Sequence, residues 1–428
     1  MNLGLALLAL VQTEGAERAL TLTQAIEEAL RAQPTMVEAR TAIASASADR
    51  LSAYGAFLPN VSASSGYLRS SSSRVDPITG SPLNESYSAS LSASVDLFSG
   101  FRRLAEVRRS DSALRAAEVG ETAERYAVIA ATKQIYYDAV AARDLVAVAE
   151  ARVRRAEEQL KTVVQKLQLG VATRSDSLRA RLEVGNANLE WLRSRQASTS
   201  ARAALARQVG SPVPVAPARG EALDRSVPAL DTVALRETVR ARSPSVLRAG
   251  ANFRAAENAV TASRSAFWPT LSASASTSWN GPNAPFTDGA QFQDSWSVRF
   301  SLSYPLFNGF SREASVSRAH ATRDVAQARL RDARLAADAQ LTNALGAFQT
   351  AIASEEIAEA GVRAAEEDLR VQQERYRVGA STLLEVLTSQ AALAQAQTDL
   401  VRARLDVQVA LAELEALLGR TLDSETAP

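Results

Sequence analysis

Two acidic residues, Asp176 and Glu385, have the spacing that most clearly suggests a chemical role in this sequence. Each lies three residues after a threonine, Thr173 or Thr382, in the pattern T-x-x-D/E. At the start of a helix this pattern forms a capping box, in which the hydroxyl and the carboxylate satisfy free backbone amides. The pattern therefore predicts two helix starts, and capping by itself leaves open a second role for the two carboxylates.

Side chains for other kinds of chemistry are scarce. The sequence has no cysteine, which excludes disulfides, thiolate metal sites and thiol nucleophiles. Its single histidine, His320, lies among alanines and arginines without a recognisable second ligand or triad partner, so we interpret it as a solvated residue of a helix face. The 48 basic and 47 acidic residues are interleaved, without a basic patch of stacking aromatics, which argues against nucleic acid. We therefore expect no enzyme, no metal site and no cofactor.

Two proline-free segments of equal length, Phe101 to Gln168 and Phe310 to Arg377, dominate the chain. They are rich in Ala, Arg, Glu, Leu and Gln, which lose least on entering a helix. One continuous helix of that length would be roughly 100 Å long at 1.5 Å per residue. Each segment leads through a glycine turn to a closing helix, predicted at 176–208 and 385–418. The second closing helix has apolar residues every seven positions with small residues three further on, a heptad seam along which neighbouring helices can approach closely.

The chain is an internal duplication. FLPNVSAS at 57–64 matches FWPTLSAS at 267–274, and Gly170 matches Gly379, at a constant offset of about 209 to 210 residues. Chance does not hold such a register over half a chain. We therefore predict an export signal at 1–19, a first repeat at 20–210, a proline-rich linker at 211–230, a second repeat at 231–420 and a tail at 421–428.

The N-terminal segment contains an apolar run, Leu3 to Val11, of the size of a signal-peptide core, although no Lys or Arg precedes it. We expect export by this segment, with cleavage between Thr13 and Ala19. A short docking helix or a mis-set start codon is the alternative. The sequence has no run of about eighteen apolar residues, so it predicts no transmembrane helix.

Two β-hairpins are predicted at 60–98 and 270–306. From Tyr87 to Leu97 and from Trp296 to Leu306, apolar residues alternate with polar residues, mostly serine. Each strand therefore has one apolar face and one polar face that suits contact with water. A half-buried sheet on a soluble core is one interpretation. The strands are about ten residues long and carry aromatics near their ends, as membrane-spanning strands do. Because the rest of the chain offers no apolar surface to cover them, we favour a membrane barrel.

Four strands per chain cannot close a membrane barrel, since eight is about the smallest number that does. The barrel must then be shared between chains under cyclic symmetry. Two copies would give a barrel filled by side chains, whereas three give twelve strands and a channel. Serine and alanine cannot fill a core, so we predict a homotrimer. The predicted fold is a duplicated, mixed α and β unit, with four membrane strands per chain in a 12-stranded barrel and a tunnel walled by the long helices.

Several segments resemble the TolC-like outer membrane efflux proteins. They are FLPNVSAS, FWPTLSAS, VDLFSGFRR at 95–103, YPLFNGFSR at 304–312 and RYRVGASTLLEVLTSQAAL at 375–393. The resemblance covers nearly the whole chain, in both halves and in the right order. It implies a trimer in the outer membrane of a Gram-negative-type bacterium, with a twelve-helix tunnel that crosses the periplasm. It also implies an exit duct for inner-membrane pumps, joined to them through periplasmic adaptor proteins, in efflux or type I secretion.

The resemblance also implies where function concentrates. It supports a ring of carboxylates at the tunnel mouth, for Glu385 more than for Asp176, with Thr388 where a second ring would need an acid. By repeat symmetry, Tyr376 is expected beside the turn that follows Gly170, where its phenol would hydrogen-bond to Asp176 and hold the tip closed. In the alternative, Tyr376 packs on the helix seam and Asp176 only caps its helix. The turns expected to dock an adaptor are Gly170, Val171, Ala172, Thr173 and Gly379, Ala380, Ser381, Thr382.

A second class of function stays open, a trimeric envelope-spanning rod without a transport role. Two features favour the conduit. Exposed small residues at the turns suit the docking of an adaptor, and a hydrophilic strand face would not be needed in a rod that only spans the envelope. The expected partners are two further copies of the chain, an adaptor, a pump and outer-membrane lipid. The sequence does not specify the exported substrate, because a conduit takes its selectivity from the attached pump.

Overall fold

The fold is described from a computed structural model, which describes residues 18–75, 82–218, 220, 223, 231–281, 293–420 and 422. The apolar run of the predicted export signal lies outside these residues, as do much of the predicted linker and most of the predicted tail. The chain divides into two compact units. The helical unit comprises Met1–Thr41, Val119–Leu247 and Ala333–Pro428, and the sheet unit comprises Ala42–Glu118 and Arg248–Asp332.

Helices make up most of the described chain. The α-helices are α1 (Leu22–Ala32), α2 (Pro34–Gly55), α3 (Arg102–Gln168), α4 (Arg174–Val209), α5 (Thr232–Arg242), α6 (Pro244–Arg264), α7 (Ser311–Arg377) and α8 (Leu383–Leu418). The strands are β1 (Arg18–Leu20), β2 (Asn60–Val75), β3 (Pro82–Ser99), β4 (Val215–Pro217), β5 (Thr270–Gly281) and β6 (Gln293–Ser303). Among the helices of the described residues, none combines the length and the apolarity needed to cross a membrane.

The two repeats have helices of matching length. Helices α3 and α7 have 67 residues each, and α4 and α8 have 36 each. The closing helices begin two residues earlier than the sequence suggested, at Arg174 rather than 176 and at Leu383 rather than 385. The reason is that Thr173 and Thr382 are themselves the N-cap residues, so the acidic residue of each capping box is the third residue of the helix.

The core of the helical unit surrounds Tyr136 of α3, which is fully buried. It packs in one apolar cluster with Leu20, Val140 and Leu205, and its hydroxyl donates a 2.9 Å hydrogen bond to the carbonyl of Leu20. Burying a tyrosine is favourable only when its hydroxyl has such a partner. The cluster therefore ties α3 and α4 to the short strand β1.

Strand β1 pairs in parallel with β4, with Leu20 opposite Pro217. Strand β4 lies in the segment predicted as a linker, so this segment is more than a connection. Arg18 and Ala19, which the sequence placed at the end of an export signal, are the first residues of β1. Sequence periodicity did not indicate either strand, because three residues are too few to establish a pattern.

Helix α3 packs against α8. Lys133 and Glu415 form a buried ion pair between them, and Glu415 also accepts a 3.0 Å hydrogen bond from the Leu422 amide. Removing one partner of a buried pair leaves an uncompensated charge and costs about 3–5 kcal/mol. Arg155 of α3 adds a 3.4 Å hydrogen bond to Gln397 of α8. These contacts fix the register of the two helices.

Each long helix is also joined to its own closing helix. Arg152 of α3 donates to Glu183 of α4 at 2.7 Å. Arg404 of α8 donates to Glu359 of α7 at 2.8 Å, and Ser389 of α8 donates to Asp368 of α7 at 2.5 Å. Together with the contact between α3 and α8, these bonds place the helices in the order α4, α3, α8, α7.

The sheet unit contains one antiparallel sheet with the strand order β2-β3-β5-β6. The two predicted hairpins are β2 with β3 and β5 with β6, and β3 joins β5. Strand β6 ends at Ser303, three residues short of the predicted end of the hairpin. The sequence explains the difference, because Pro305 has no amide hydrogen to donate to the ladder.

The two faces of the sheet differ in chemistry. On one face, serines of neighbouring strands lie opposite each other, as in the pairs Ser64 with Ser90 at 2.8 Å and Ser278 with Ser295 at 2.9 Å. The other face carries exposed apolar residues, including Val61, Leu91, Trp296, Val298, Phe300 and Leu302. Within the described residues, β2 and β6 each have only one neighbouring strand, so both outer edges of the sheet are free.

The chain enters each long helix through the same unusual backbone turn. Phe101 and Phe310 adopt left-handed φ angles of 66° and 62° directly after a glycine. A side chain at positive φ costs about 1–3 kcal/mol, so the surroundings must stabilise it. Phe101 packs edge-on against Phe98, and Phe310 does so against Phe307, both at 5.5 Å between ring centroids. The repeat has thus kept a strained turn together with its aromatic support.

Candidate functional site

The first candidate site is the turn between α3 and α4. Gly170 has a left-handed φ of 75°, which a residue with a side chain rarely adopts. Its amide donates to the Leu167 carbonyl at 3.0 Å, and the amide of Val171 donates to the Lys166 carbonyl at 2.9 Å. These bonds satisfy the last carbonyls of α3 and reverse the chain within a few residues.

The capping box that starts α4 is complete. Asp176 accepts hydrogen bonds from the Thr173 amide at 3.0 Å and from the Thr173 hydroxyl at 2.7 Å. The Asp176 amide in turn donates to the Thr173 hydroxyl oxygen at 3.1 Å. The Thr173 hydroxyl, followed by the Thr173 amide, holds the pKa of the Asp176 carboxyl below its usual range. Asp176 is therefore charged at neutral pH.

The turn between α7 and α8 repeats this backbone. Gly379 has a φ of 81°, and the amide of Ala380 donates to the Arg375 carbonyl at 2.7 Å. Glu385 accepts a 3.2 Å hydrogen bond from the Thr382 amide and a further, short one from the Ser381 hydroxyl. These two donors, with Ser381 the stronger, lower the pKa of Glu385. Both sequence-predicted carboxylates are therefore ionised caps at the start of a closing helix.

Apolar side chains surround both turns in solvent. Leu169 and Val171 of the first turn are 78% and 72% exposed, and Val378 and Leu384 of the second are 69% and 59% exposed. A small residue lies next to these side chains in each turn: Ala172 follows Val171, and Ala380 lies between Val378 and Leu384 in sequence. Both turns therefore leave large apolar side chains in contact with solvent.

Tyr376 does lie in the region of the first turn, as repeat symmetry predicted, but not as a hydrogen-bonded lock. It is 9% exposed and packs in an apolar cluster with Val163, Leu369 and Leu383. Burial, and then the charge of Asp176, raise the pKa of its phenol.

The expected hydrogen bond between Tyr376 and Asp176 is not among the hydrogen bonds of these two described residues. Asp176 instead uses its carboxylate for the Thr173 cap. Local capping competes well for a carboxylate, because the donors lie three residues away and need no further ordering. The alternative set out from the sequence, a packed Tyr376 and a capping Asp176, therefore describes this structure.

Sequence reasoning missed Lys166, which takes the place of Asp176 as the partner of Tyr376. Its ammonium lies 3.9 Å from the centroid of the Tyr376 ring and donates a hydrogen bond to the Tyr376 carbonyl. This combines a cation–π contact with a charge-assisted hydrogen bond. A signal was present, because Lys166 lies one position before the counterpart of Tyr376, but its target in the other repeat could not be identified from sequence.

Thr388, the other residue singled out from the sequence, is exposed one turn after Glu385. Its hydroxyl donates a 2.9 Å hydrogen bond to the Leu384 carbonyl of its own helix. This is the usual way for threonine to satisfy its hydroxyl within a helix. Thr388 therefore adds no charge to the mouth of the turn.

Comparison with known proteins supports the resemblance noted in the motifs. The family model described as outer membrane efflux protein matches residues 25–211 and again residues 235–420. Antibiotic efflux pump outer membrane protein ArpC of Pseudomonas putida is 25% identical over 344 residues, 79% of this chain and 70% of ArpC. Pyoverdine export outer membrane protein OpmQ of Pseudomonas putida is 27% identical over 359 residues, 81% of this chain and 73% of OpmQ.

Solved structures are similar in fold. The outer membrane protein VceC of Vibrio cholerae superposes with a TM-score of 0.77 at 20% identity, covering 94% of this chain and 97% of VceC. The open-state MtrE outer membrane channel of Neisseria gonorrhoeae superposes with a TM-score of 0.79 at 21% identity, covering 95% of this chain and 91% of MtrE. With the family model matched once in each repeat, the chain belongs to the outer membrane efflux protein family.

Proposed function

We propose that this protein is the exit duct of a tripartite efflux or type I secretion system. It acts as a passive conduit in the outer membrane and extends into the periplasm, without catalytic activity of its own. ArpC and OpmQ are named for the export of different compounds, antibiotics and pyoverdine. This difference between relatives of similar identity supports a duct whose cargo is chosen elsewhere, by an inner-membrane pump.

The observation that carries the proposal is the free-edged sheet. A strand edge left unpaired exposes amide and carbonyl groups, and in a lipid bilayer each such group costs several kcal/mol. Strands β2 and β6 both have a free outer edge, and one face of the sheet is apolar while the other is lined with serine. Closure with further copies removes the edges, turns the apolar face to lipid and leaves the serine face to water.

Three copies satisfy this requirement with room for a channel. Four strands from each of three chains give a 12-stranded barrel, whereas eight strands leave a lumen that side chains must fill. Serine side chains are too small to fill it. The proposed assembly is therefore a homotrimer whose long helices together wall a tunnel.

The two turns are proposed as the docking site for a periplasmic adaptor. They comprise Gly170, Val171, Ala172 and Thr173 in one repeat and Gly379, Ala380, Ser381 and Thr382 in the other. The exposed apolar residues beside these turns provide surface that an adaptor can bury. The ionised Asp176 and Glu385 provide negative charge at the mouth of the tunnel. Six such turns in a trimer present the same motif repeatedly, which suits an adaptor that is itself repeated around the tunnel.

Single-channel recording in planar lipid bilayers tests the conduit directly. The purified protein is expected to insert and to give discrete conductance steps. An assembled trimer that inserts without conducting would overturn the proposal and favour the envelope-spanning rod.

Crosslinking in cells tests the docking site. The chain has no cysteine, so Ala172→Cys or Ala380→Cys introduces a unique thiol. A crosslink from either position to a second protein is expected, and a matched thiol at the exposed Leu335 of α7 should give none. Equal crosslinking from Leu335→Cys would remove the support for docking at the turns.

A further inference from the structure

A cavity of about 550 Å³ lies in the helical unit, beside the last turn of α8. The start of α6 and parts of α3 and α7 complete its lining. The ends of α8 and α6 are close together here, because a side chain added at Gly419 would lie 3.1 Å from the ring of Pro244. We call this space the junction cavity. Its volume is within the range of about 300–1,000 Å³ that is typical of sites for small organic molecules.

The lining combines a surface of small apolar residues with a few polar side chains. The polar part includes Glu413 of α8 with Gln340 and Asn343 of α7, and all three residues are exposed to solvent. The apolar part is formed mainly by alanines of the two long helices, Ala123 and Ala130 of α3 and Ala344 and Ala347 of α7. A molecule can therefore reach the polar groups from solvent and place an apolar part against the alanines.

Glu413 gives the cavity its charge. Among the described residues of the lining it alone has a charged side chain, and within the described chain it forms no ion pair. Glu415, two residues later, is by contrast buried in its pair with Lys133. The side-chain amides of Gln340 and Asn343 likewise make no hydrogen bond to any other described residue. One carboxylate and two amide oxygens are therefore available to a ligand.

The equivalent junction of the first repeat is more filled. Because the helices of the two repeats have equal lengths, subtracting 209 from a residue number in α7 or α8 gives its counterpart in α3 or α4. Three alanines of the lining have larger counterparts, since Ala344, Ala347 and Ala416 correspond to Ile135, Asp138 and Arg207. The space is thus a feature of the second repeat rather than of the fold as such.

Two polar side chains of the lining differ in the opposite sense. Glu413 and Gln340 have alanines as their counterparts, Ala204 and Ala131. Where the first repeat has bulk the second has space, and where the first has alanine the second has a carboxylate and an amide. A mere packing defect does not call for new polar groups at its rim, so this combination favours a site that holds a ligand.

Hydrogen bonds close the junction in the first repeat. The side chain of Gln33 donates to the Gln208 carbonyl at 2.6 Å, and the side chain of Gln208 donates to the Thr132 hydroxyl at 2.9 Å. At the position that matches Gln33, one residue before the shared proline, the second repeat has Ser243. Its hydroxyl lies 3.0 Å from that of Ser245, two residues away. The short serine therefore leaves open the junction that Gln33 spans.

We propose that the junction cavity binds an apolar organic cation. The carboxylate of Glu413 pairs with its cationic group, and the side-chain oxygens of Gln340 and Asn343 accept hydrogen bonds from the N–H groups of that cation. The alanine surface buries its apolar body. An anion of the same shape is repelled by Glu413, and a neutral molecule lacks the charge-assisted bond. The residues of this site belong to one chain, so the site does not require the proposed trimer.

Three adamantane derivatives test the site, because they share one rigid apolar cage and differ in charge. At neutral pH adamantylamine is a cation, adamantanol is neutral and adamantanecarboxylate is an anion. Titration calorimetry of the detergent-solubilised protein, with detergent alone as the blank, should find saturable binding of the amine and weaker binding of the other two. No binding of the amine, or equal binding of all three, would overturn the proposal.

A charge variant assigns the binding to the junction cavity. Glu413→Gln should weaken binding of adamantylamine about tenfold, because it keeps the shape of the side chain and removes its charge. The matched control is Glu356→Gln, which removes an exposed carboxylate of α7 outside the lining and should bind like the parent. An equal loss in both variants would indicate a general attraction of cations to the protein and would contradict the site.

A size variant covers failure of Glu413→Gln to assemble. Ala344→Ile introduces the residue that the first repeat has at this position and should reduce binding of adamantylamine by filling the cavity. The same substitution at the exposed Ala353 of α7, outside the lining, should leave binding unchanged. Binding to Ala344→Ile as strong as to the parent would overturn the site. Because these measurements do not use conductance, that result would leave the proposed exit duct intact.

Discussion

The two turns have the same backbone but are stabilised by different contacts. In each, a left-handed glycine ends the long helix and a threonine capping box starts the next. Lys166, just before the first turn, reaches the carbonyl and ring of Tyr376 in the other repeat. Its counterpart Arg375 instead donates to the Ala380 carbonyl of its own turn at 3.3 Å. The first turn is thus joined to the second repeat, and the second turn is closed on itself.

The difference shows how a duplicated unit becomes asymmetric without losing its fold. The caps and glycines depend on neighbours a few residues away, so both copies keep them. The long cationic side chains depend on what lies across the seam, where the sequences have diverged. We expect changes to the shared features to affect both turns, and changes to the cations to affect them unequally.

Lys166→Met should have the largest effect. It removes a charge-assisted hydrogen bond and a cation–π contact, together worth about 2 kcal/mol per chain when partly buried. With its tie to the second repeat lost, the first turn should be freer to move. Single-channel recording should find a higher conductance than for the parent.

The control for this change is Arg377→Met, which removes an exposed cation that pairs, within the described part of the chain, only with Glu374 on the same helix. Such exposed pairs contribute little. If both substitutions raised the conductance equally, the conductance would depend on the net charge at the tunnel mouth rather than on the contact between Lys166 and Tyr376.

Substitution of the capping threonines should have the second-largest effect, and this effect should differ between the two turns. Thr173→Ala removes a hydroxyl that Asp176 uses as a donor, whereas after Thr382→Ala the carboxylate of Glu385 still has Ser381. Loss of an N-cap costs about 0.5–2 kcal/mol. We expect faster amide hydrogen exchange at the start of α4 in Thr173→Ala than at the start of α8 in Thr382→Ala. The reverse order would contradict the role given to Ser381.

The carboxylates should make both turns sensitive to acid. The pKa of Asp176 and that of Glu385 lie below their ordinary values of 3.8 and 4.5 in the folded protein. The stabilisation of each turn by its ionised carboxylate is therefore fully present above the ordinary pKa and is lost as the pH falls through the lowered pKa. Protection of the cap amides, corrected for intrinsic exchange, should be constant from pH 7 to 5 and should fall at lower pH. Asp176→Asn should remove this pH dependence from the first turn alone.

Tyr376→Phe should have the smallest effect. The ring, its packing and the carbonyl that Lys166 binds all remain, and the structure contains no hydrogen bond from the phenol to Asp176. Conductance should match that of the parent, whereas Tyr376→Ala should raise it. A clear rise for Tyr376→Phe would restore the phenol lock that the sequence suggested.

Local patterns explain what the sequence could predict. The absence of proline indicated α3 and α7, alternation indicated the sheet, and T-x-x-D/E indicated both caps. Each of these signals depends on residues within one helix, one turn or one strand. Matching of Gly170 with Gly379 then extended the prediction from one half to the other.

Such local patterns could not predict contacts between segments that are distant in sequence. The pairing of β1 with β4 joins Leu20 to Pro217 through three-residue strands that have no readable period. The position of Lys166 over Tyr376 depends on which helices are neighbours and on their register, and the buried pair of Lys133 and Glu415 does so too. The sequence also could not show which of two possible donors, the Thr173 cap or the Tyr376 phenol, binds the carboxylate of Asp176.

The central claim is that copies of this chain complete one pore that none forms alone. The mass of the detergent-solubilised protein, corrected for bound detergent, tests it most directly. We predict three times the mass of one chain, less any export signal removed. A monomer or a dimer that still gives discrete conductance steps would contradict the shared barrel.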